Sequence, residues 1–230
     1  MKKSDIQGFI SFLKNPSPDE QYEISSKSIF LRLIWKSFLV LLAIDIICGI
    51  IIVIPLTYFN IFPVLKEFKY TPSNILKVTL IFPIIEELIF RLPLKISKTN
   101  VAISFSLLIF LVLNKWCAYN IYLEICFSSV LFLLLIISIN EGSSILNGLT
   151  HLFTNHFWKF FYFQAIIFGF LHLMNYIIDF RYFYLFPFII ISYIFKGCLF
   201  GYLRIKFTYG IYLCIASHIV ANSIYCLILS

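Results

Sequence analysis

The sequence predicts an all-α protein, a polytopic membrane helix bundle of about seven transmembrane helices, within a range of six to eight. Apolar residues make up 61% of the chain, charged residues make up 13%, and the mean hydropathy is +0.95. This composition excludes an ordinary soluble domain. A span needs ~20 apolar residues, so the 230 residues have room for this number of spans and for short loops. We therefore expect a basic cytoplasmic tail over 1–28 and a single integral-membrane domain over 29–230.

The apolar runs locate the spans in chain order at about 37–58, 74–94, 101–116, 119–139, 160–178, 182–202 and 209–229. Asp45 interrupts the first span, and no motif around it assigns it a role. Within the tail, the run Asn15-Pro16-Ser17-Pro18 predicts a break in any regular structure. In the loop 140–156, apolar residues recur at helical spacing, which predicts a short amphipathic helix on the membrane surface.

The net charge of +7 comes from Lys and Arg that lie mostly in loops and termini, which is typical of membrane proteins. It therefore gives no reason to expect a nucleic-acid partner. With the N-terminus inside, the inner segments hold Lys2, Lys3, Lys14, Lys27, Arg32, Lys36, Lys95, Lys98, Lys159, Arg204 and Lys206. The outer segments hold only Lys66, Lys69, Lys115 and Arg181. This asymmetry predicts a cytoplasmic N-terminus and, with seven spans, an outer C-terminus. The chain is rich in Ile, Phe, Lys, Asn and Tyr, whose codons are AT-rich, which favours an AT-rich bacterial genome. We therefore expect the protein in a bacterial inner (plasma) membrane.

Three ionisable side chains lie inside the second span, in the stretch Glu86-Glu87-Leu88-Ile89-Phe90-Arg91. A charge at bilayer depth costs ~3 kcal/mol on insertion scales, so this cluster is a hypothesis for a functional site. Glu87 and Arg91 are four residues apart, on one helix face and within reach of a salt bridge. Glu86 lies ~100° around the helix and has no partner in its own turn. Its carboxyl group must therefore find a partner on another helix or remain protonated.

Two later spans also carry polar groups at depth. His172 lies deep in an apolar run, with Asn175 three residues further along on the same face. His218 and Asn222 are four residues apart and share a face of the last span. At 1.5 Å per residue, Glu86 lies ~12 Å from the inner end of its helix, and the two histidines lie at ~14–18 Å. The depths overlap, so we expect the three spans to meet at one site.

The motifs Glu86-Glu87-x-x-x-Arg91, Phe168-x-x-x-His172 and His218-x-x-x-Asn222 occur in this order inside membrane spans. Together they resemble the three motifs of the CAAX protease and bacteriocin-processing family, also called the abortive-infection (Abi) family. Its members are intramembrane endopeptidases, and the type II CAAX prenyl endopeptidase is one of them. The resemblance covers about 74–229, with an additional two-span segment at about 101–156.

The resemblance implies a role for each motif residue. Glu86 would activate water as general base, with His172 helping to hold the water, and no cofactor would be needed. His218 and Asn222 would donate hydrogen bonds to the oxyanion. Glu87 and Arg91 would be structural, with Phe168 and Asn175 in support. The partners implied are membrane lipid and a membrane-associated protein or peptide substrate.

Other interpretations remain open at this point. Glu86, His172 and His218 would make a His₂Glu zinc set with water in the fourth position, although the chain has no HExxH motif. A proton-coupled transporter would use buried Glu and His as a relay, but it predicts two matched halves that the sequence does not show. A non-catalytic membrane scaffold or immunity protein would not need the complete set of polar residues.

Overall fold

The computed structural model describes residues 5–18, 21–54, 58, 64–65, 71–117, 129–130, 132, 144–173, 176–177 and 186–229. These residues fold into helices, as the sequence predicts. The helices are α1 (Asp5–Lys14), α2 (Lys27–Cys48), α3 (Pro72–Leu76), α4 (Phe82–Phe90), α5 (Lys98–Cys117), α6 (Ser144–Asn155), α7 (Phe157–His172), α8 (Phe186–Lys206) and α9 (Gly210–Leu229). The predicted all-α class is therefore confirmed.

Irregular turns link several of these helices. The π-helical turns Gly49–Val53 and Lys77–Ile81 extend α2 and α3, and a 3₁₀ turn, Leu92–Leu94, follows α4. Strand pairing within the described residues is limited to a two-residue antiparallel pair and one bridge. The pair joins β1 (Val64–Leu65) to β2 (Tyr176–Ile177), and the bridge joins Tyr22 to Phe207.

Three helices in the described part of the chain are long and apolar enough to cross a membrane. They cover Lys27–Ile51, Phe186–Lys206 and Gly210–Ile228, and a shorter apolar helix covers Lys98–Val112. These helices indicate a membrane protein. They are fewer than the seven spans predicted from the sequence, so the described residues do not support that count. Most of the predicted span 119–139 lies outside the described residues.

The predicted span 74–94 is helical from Pro72 to Phe90, with a π-helical turn inside it. Thr71 begins the segment as an N-cap, because its hydroxyl accepts a hydrogen bond from the Asn74 backbone N–H (3.3 Å). The chain then widens into the π-helical turn Lys77–Ile81 and resumes as α4. Pro83 lies directly after this π-helical turn and has no N–H to continue the series of helical hydrogen bonds. The backbone stays in the right-handed helical conformation at both junctions of the π-helical turn, so α3, this turn and α4 form one helical segment.

The N-terminal tail packs on the helix bundle. The sequence does not predict α1, but the ring of Phe12 lies 5.1 Å from that of Phe161, and the ring of Phe9 lies 5.4 Å from that of Tyr202. The Tyr162 hydroxyl also donates a hydrogen bond to the backbone oxygen of Leu13. Helix α1 ends at Lys14, immediately before the predicted Asn-Pro-Ser-Pro break. The amphipathic helix predicted from the loop 140–156 is present as α6.

Helices α7 and α8 pack closely because two glycines of α8 face α7. A Cβ atom on Gly197 would lie 3.1 Å from Ala165 Cα, and one on Gly201 would lie 2.6 Å from Phe161 Cε2. Small residues spaced four apart let two helix backbones approach, which is a common way for helices to associate in membranes. This contact fixes the position of α7, the helix that carries Phe168 and His172.

We expect Gly201→Val to lower the free energy of unfolding by about 1–3 kcal/mol, because the new side chain overlaps the Phe161 ring. The measurement is thermal unfolding of the purified protein in detergent. Gly49→Ala is the matched control, since a Cβ there meets nothing within 4 Å. If Gly201→Val unfolds at the same temperature as the wild type, the close α7–α8 contact is wrong.

Helix α9 is held against α2 by two buried serines. The Ser37 hydroxyl donates to the backbone oxygen of Ile34 (2.8 Å), and the Ser217 hydroxyl lies 2.6 Å from Ser37 Oγ. Because Ser37 has one proton and uses it on Ile34, Ser217 is the donor between the two serines. Ser217 directly precedes His218, so this hydrogen bond fixes the rotation of α9 beside the candidate site.

Candidate functional site

Glu87 and Arg91 form a buried ion pair at the end of α4. Arg91 Nε lies 3.3 Å from Glu87 Oε2, and both side chains are fully buried. The salt bridge predicted from their spacing of four residues is therefore present. The pair is an electrostatic contact, since neither Arg91 Nε nor Glu87 Oε2 makes a hydrogen bond within the described residues.

Three aromatic rings surround the Arg91 guanidinium. Its Cζ atom lies 4.7 Å from the centroid of Phe168 and 5.9 Å from the centroids of Phe90 and Phe200. The negative faces of aromatic rings attract a cation, by ~2 kcal/mol where the site is desolvated. The rings belong to α4, α7 and α8, so Arg91 joins these three helices around its charge.

His218 lies between the two glutamates. Its Nδ1 atom is 2.9 Å from Glu87 Oε1, and its Nε2 atom is 3.8 Å from Glu86 Oε2. Because an ionised carboxylate can only accept a hydrogen bond, Nδ1 carries a proton that it donates to Glu87. The ring of Phe200 stacks on the imidazole at 5.0 Å, which fixes the plane of His218. Glu87 therefore orients His218, and the Nε2 edge faces Glu86.

Glu86 and Glu87 occupy different environments although they are adjacent in sequence. The Glu87 side chain is fully buried, whereas 30% of the Glu86 side-chain surface is exposed. The sequence predicts that Glu86 either meets a partner from another helix or stays protonated, and the structure places His218 of α9 beside it. Glu86 is thus the accessible carboxylate of the pair, and Glu87 is the enclosed one.

His172 reaches the same region through Phe168. Its Nδ1 atom donates to the backbone oxygen of Phe168 (2.7 Å), because a carbonyl oxygen can only accept. The neutral imidazole then keeps a lone pair on Nε2. The Phe168 ring lies 4.5 Å from the ring of His172 and 6.3 Å from that of His218, so it is close to both histidines.

Asn222 contacts the backbone of the π-helical turn before α4. Its Nδ2 atom donates to the Val78 backbone oxygen (3.0 Å). In this turn the N–H of Phe82 bonds to the Lys77 oxygen, so the next bond of the series would run from residue 83 to Val78. Pro83 has no N–H to make that bond. The Asn222 amide takes its place and attaches α9 to the start of α4.

Two cations cap helix ends beside the site. Arg204 Nε donates to the backbone oxygen of Arg91 (3.0 Å), and Lys95 Nζ donates to that of Phe207 (3.3 Å). The carbonyls at the C-terminus of a helix carry partial negative charge, which stabilises cations there. Burial and, second, the nearby Arg204 guanidinium lower the pKa of Lys95 from 10.5 to about 8. These contacts hold the end of α4 against the end of α8.

The structure thus brings together most of the residues that the sequence singles out. Arg91 contacts Glu87, Glu87 contacts His218, and His218 contacts Glu86. The Phe168 ring lies near both His172 and His218. Asn175 lies outside the described residues. The sequence analysis misses Phe200 and Tyr193, whose rings stack on His218 and on His172. Both aromatics lie in an apolar run in which nothing marks them, so no sequence signal could have found them.

The described residues contain no group of three His, Cys, Asp or Glu side chains that could hold a metal ion. The arrangement of Glu86, Glu87 and His218 suits proton transfer. One carboxylate fixes an imidazole through Nδ1, and the other nitrogen of that imidazole faces a second, more accessible carboxylate. This is the relation between an acid–base group and its orienting partner that recurs in catalytic sites.

Comparison of the chain with protein-family models, with curated proteins and with solved structures returns no match.

Proposed function

We propose that the chain is an intramembrane endopeptidase that hydrolyses a peptide bond in a membrane-associated protein or peptide. The observation that carries the proposal is the position of His218 between two carboxylates, one buried and ion-paired, the other accessible. The order of the three motifs, which resembles the CAAX protease and bacteriocin-processing family, supports the same activity. A helix scaffold alone would not need an accessible carboxylate beside an oriented imidazole.

In this proposal Glu86 is the general base. Its carboxylate takes a proton from a water molecule, whose oxygen attacks the carbonyl carbon of the scissile bond. His172 helps to hold this water by accepting its second hydrogen at Nε2, the nitrogen that carries the lone pair. When the C–N bond breaks, Glu86 returns the proton to the departing amine. General acid–base catalysis of this kind contributes ~10²–10⁴-fold to a rate.

His218 and Asn222 would stabilise the oxyanion of the tetrahedral intermediate. His218, when protonated at both nitrogens, donates through Nε2 while Nδ1 stays bonded to Glu87. Asn222 uses one amide hydrogen on the Val78 oxygen, which leaves the second amide hydrogen for the oxyanion. A preorganised donor of this type contributes ~3–4 kcal/mol to the transition state. Glu87 and Arg91 support the site without touching the substrate.

The experiment that tests this proposal uses the purified chain in lipid nanodiscs with a mixed library of hydrophobic peptides, and mass spectrometry identifies the products. We expect the wild type to cleave a subset of peptides and to remain active after exhaustive chelation and dialysis. Glu86→Gln and His172→Ala should not cleave. Failure of the wild type to cleave any peptide contradicts the proposal. One tightly bound zinc ion per chain, lost together with activity in His218→Gln, would replace the glutamate mechanism by a metal mechanism.

We further propose that the chain crosses a bacterial inner membrane about seven times with its N-terminus in the cytoplasm. The distribution of Lys and Arg supports this orientation. Reporter fusions at the N-terminus and after Lys98 should both report the cytoplasmic side, and a fusion after Ser230 should report the outer side. A cytoplasmic C-terminus would show that the number of spans is even.

A further inference from the structure

A second polar cluster lies outside the motif residues and joins α2, α8 and α9. Lys196 Nζ on α8 is 2.7 Å from Asp45 Oδ1 on α2, and the Tyr225 hydroxyl on α9 donates to Asp45 Oδ2. The two charged side chains are mostly buried, with 16% of Lys196 and 28% of Asp45 exposed. Asp45, which the sequence leaves without a role, is therefore one half of an ion pair.

The Lys196 ammonium also contacts two aromatic rings. Its Nζ atom lies 5.0 Å from the centroid of Tyr193 and 5.5 Å from that of Tyr225. Tyr193 and Lys196 are three residues apart on α8, so they share a helix face. The attraction between a cation and a ring face holds the Tyr193 ring beside the ion pair.

The ring of Tyr193 stacks on the imidazole of His172. The centroids are 4.3 Å apart and the planes differ by 23°. Phe168, on the same helix as His172, also contacts this imidazole, through its ring at 4.5 Å and its backbone oxygen at 2.7 Å from Nδ1. Tyr193 is thus a contact that reaches His172 from another helix, α8. If this cluster served only to hold α2, α8 and α9 together, Asp45, Lys196 and Tyr225 would be sufficient. The stacking of Tyr193 on His172 would then not be needed.

We propose that Tyr193 and Lys196 are positioning residues that hold the His172 imidazole in the orientation used for hydrolysis. This inference rests on the proposed function for its catalytic consequence, but the placement of His172 can be measured without activity. The Asp45 carboxylate holds Lys196, Lys196 holds the face of Tyr193, and Tyr193 holds the plane of His172. These contacts keep the Nε2 atom of the His172 imidazole pointing in one direction.

The first test is nuclear magnetic resonance of the full chain in detergent with labelled histidine. The sequence has four histidines, and the signals of His172 are assigned by their loss in His172→Gln. We expect the wild type to show a neutral His172 with its proton on Nδ1. In Tyr193→Leu the carbon-bound imidazole protons should shift downfield, because the ring current of the stacked tyrosine is lost. Tyr193→Phe keeps the ring and should keep the shifts near those of the wild type.

Lys196→Met serves as a second variant if Tyr193→Leu does not fold. It keeps Tyr193 but removes the cation that holds the ring, so the His172 signals should broaden or double. Lys196→Arg restores a cation at this position and should give a single set of His172 signals. Lys159→Met is the matched control, because this exposed lysine lies at the opposite end of α7 from His172. Unchanged His172 signals in folded Tyr193→Leu or Lys196→Met would overturn the inference.

The second test uses a peptide that the wild type cleaves. We expect Tyr193→Leu and Lys196→Met to lower kcat by about 10–100-fold, since misplacing a catalytic group by about 1 Å has an effect of this size. KM should stay within about twofold, and Tyr193→Phe should restore most of kcat. Equal losses in Tyr193→Phe and Tyr193→Leu would contradict positioning through the ring. If the wild type cleaves nothing while the His172 signals respond as expected, the proposed function fails and the positioning of His172 stands.

Discussion

Glu86→Gln is expected to lower the rate of peptide hydrolysis by about 10²–10⁴-fold, the contribution of a general base, while the melting temperature stays that of the wild type. Gln keeps the size and the polarity of the side chain but cannot take a proton from water. The Glu86 side chain is partly exposed, and the ion pair of its neighbour does not depend on it. The measurement pairs initial rates on a cleaved peptide with thermal unfolding of the same preparation.

Glu86→Asp is the matched variant for this prediction. It keeps the carboxylate but withdraws it by one methylene group, so we expect a rate between those of the wild type and Glu86→Gln. If Glu86→Gln retains the wild-type rate, Glu86 is not the base. If Glu87→Gln then behaves as the folded but inactive variant, the roles of the two glutamates are exchanged.

Glu87→Gln is expected to act mainly on folding. Removing one partner of a buried ion pair leaves the other charge unpaired and lowers stability by about 3–5 kcal/mol. Here the remaining charge is Arg91, which the rings of Phe90, Phe168 and Phe200 compensate only in part. We expect a large fall in folded yield and in melting temperature. Hydrolysis by the folded fraction should also slow, because an amide orients the His218 ring less strongly than a carboxylate does.

A double-variant cycle separates the ion pair from other effects of the substitution. Arg91→Met alone leaves the Glu87 carboxylate buried and unpaired, so it should also destabilise the fold. The double variant Glu87→Gln/Arg91→Met has no buried charge at this place and should be more stable than either single variant. Additive losses in the double variant would show that the two side chains do not stabilise each other.

The sequence predicts the ion pair well, because its partners lie one helical turn apart. Glu87 and Arg91 satisfy the spacing of four residues, and the structure places them in contact. The sequence also predicts that Glu86 and His218 come together, but it assigns Glu87 only to Arg91. The rotation of α9 about its axis decides which carboxylate the imidazole meets. That rotation is set by packing, including the Ser37–Ser217 contact, and it has no local signature.

The shape of the segment around Glu86 is less predictable. Apolar composition over 74–94 is typical of a single span, and it does not show that a π-helical turn lies within that span. The π-helical turn depends on a donor from another helix, the Asn222 amide, which satisfies the Val78 oxygen. The helical periodicity of the sequence around Val78 does not reveal that its hydrogen-bond partner, Asn222, lies 144 residues away.

The partner of Asp45 is likewise not predictable from the sequence. The sequence draws attention to an acid inside the first span but offers no partner for it. Lys196 is a single base inside another apolar run, and the two residues are brought together only by the packing of α2 on α8. A rule that pairs lone acids and bases of different spans would find this contact. The aromatic bridge from Lys196 through Tyr193 to His172 would still be missed.

We propose that Glu86 activates water and does not attack the peptide bond itself. Single-turnover cleavage in water enriched in ¹⁸O tests it, with the protein in excess over a cleaved peptide and mass spectrometry of both the product and the protein. We expect one ¹⁸O atom in the new carboxyl group of the product and none in the Glu86 side chain. Label in the Glu86 carboxyl together with an unlabelled first-turnover product would contradict the account, since it would show a covalent acyl intermediate on Glu86.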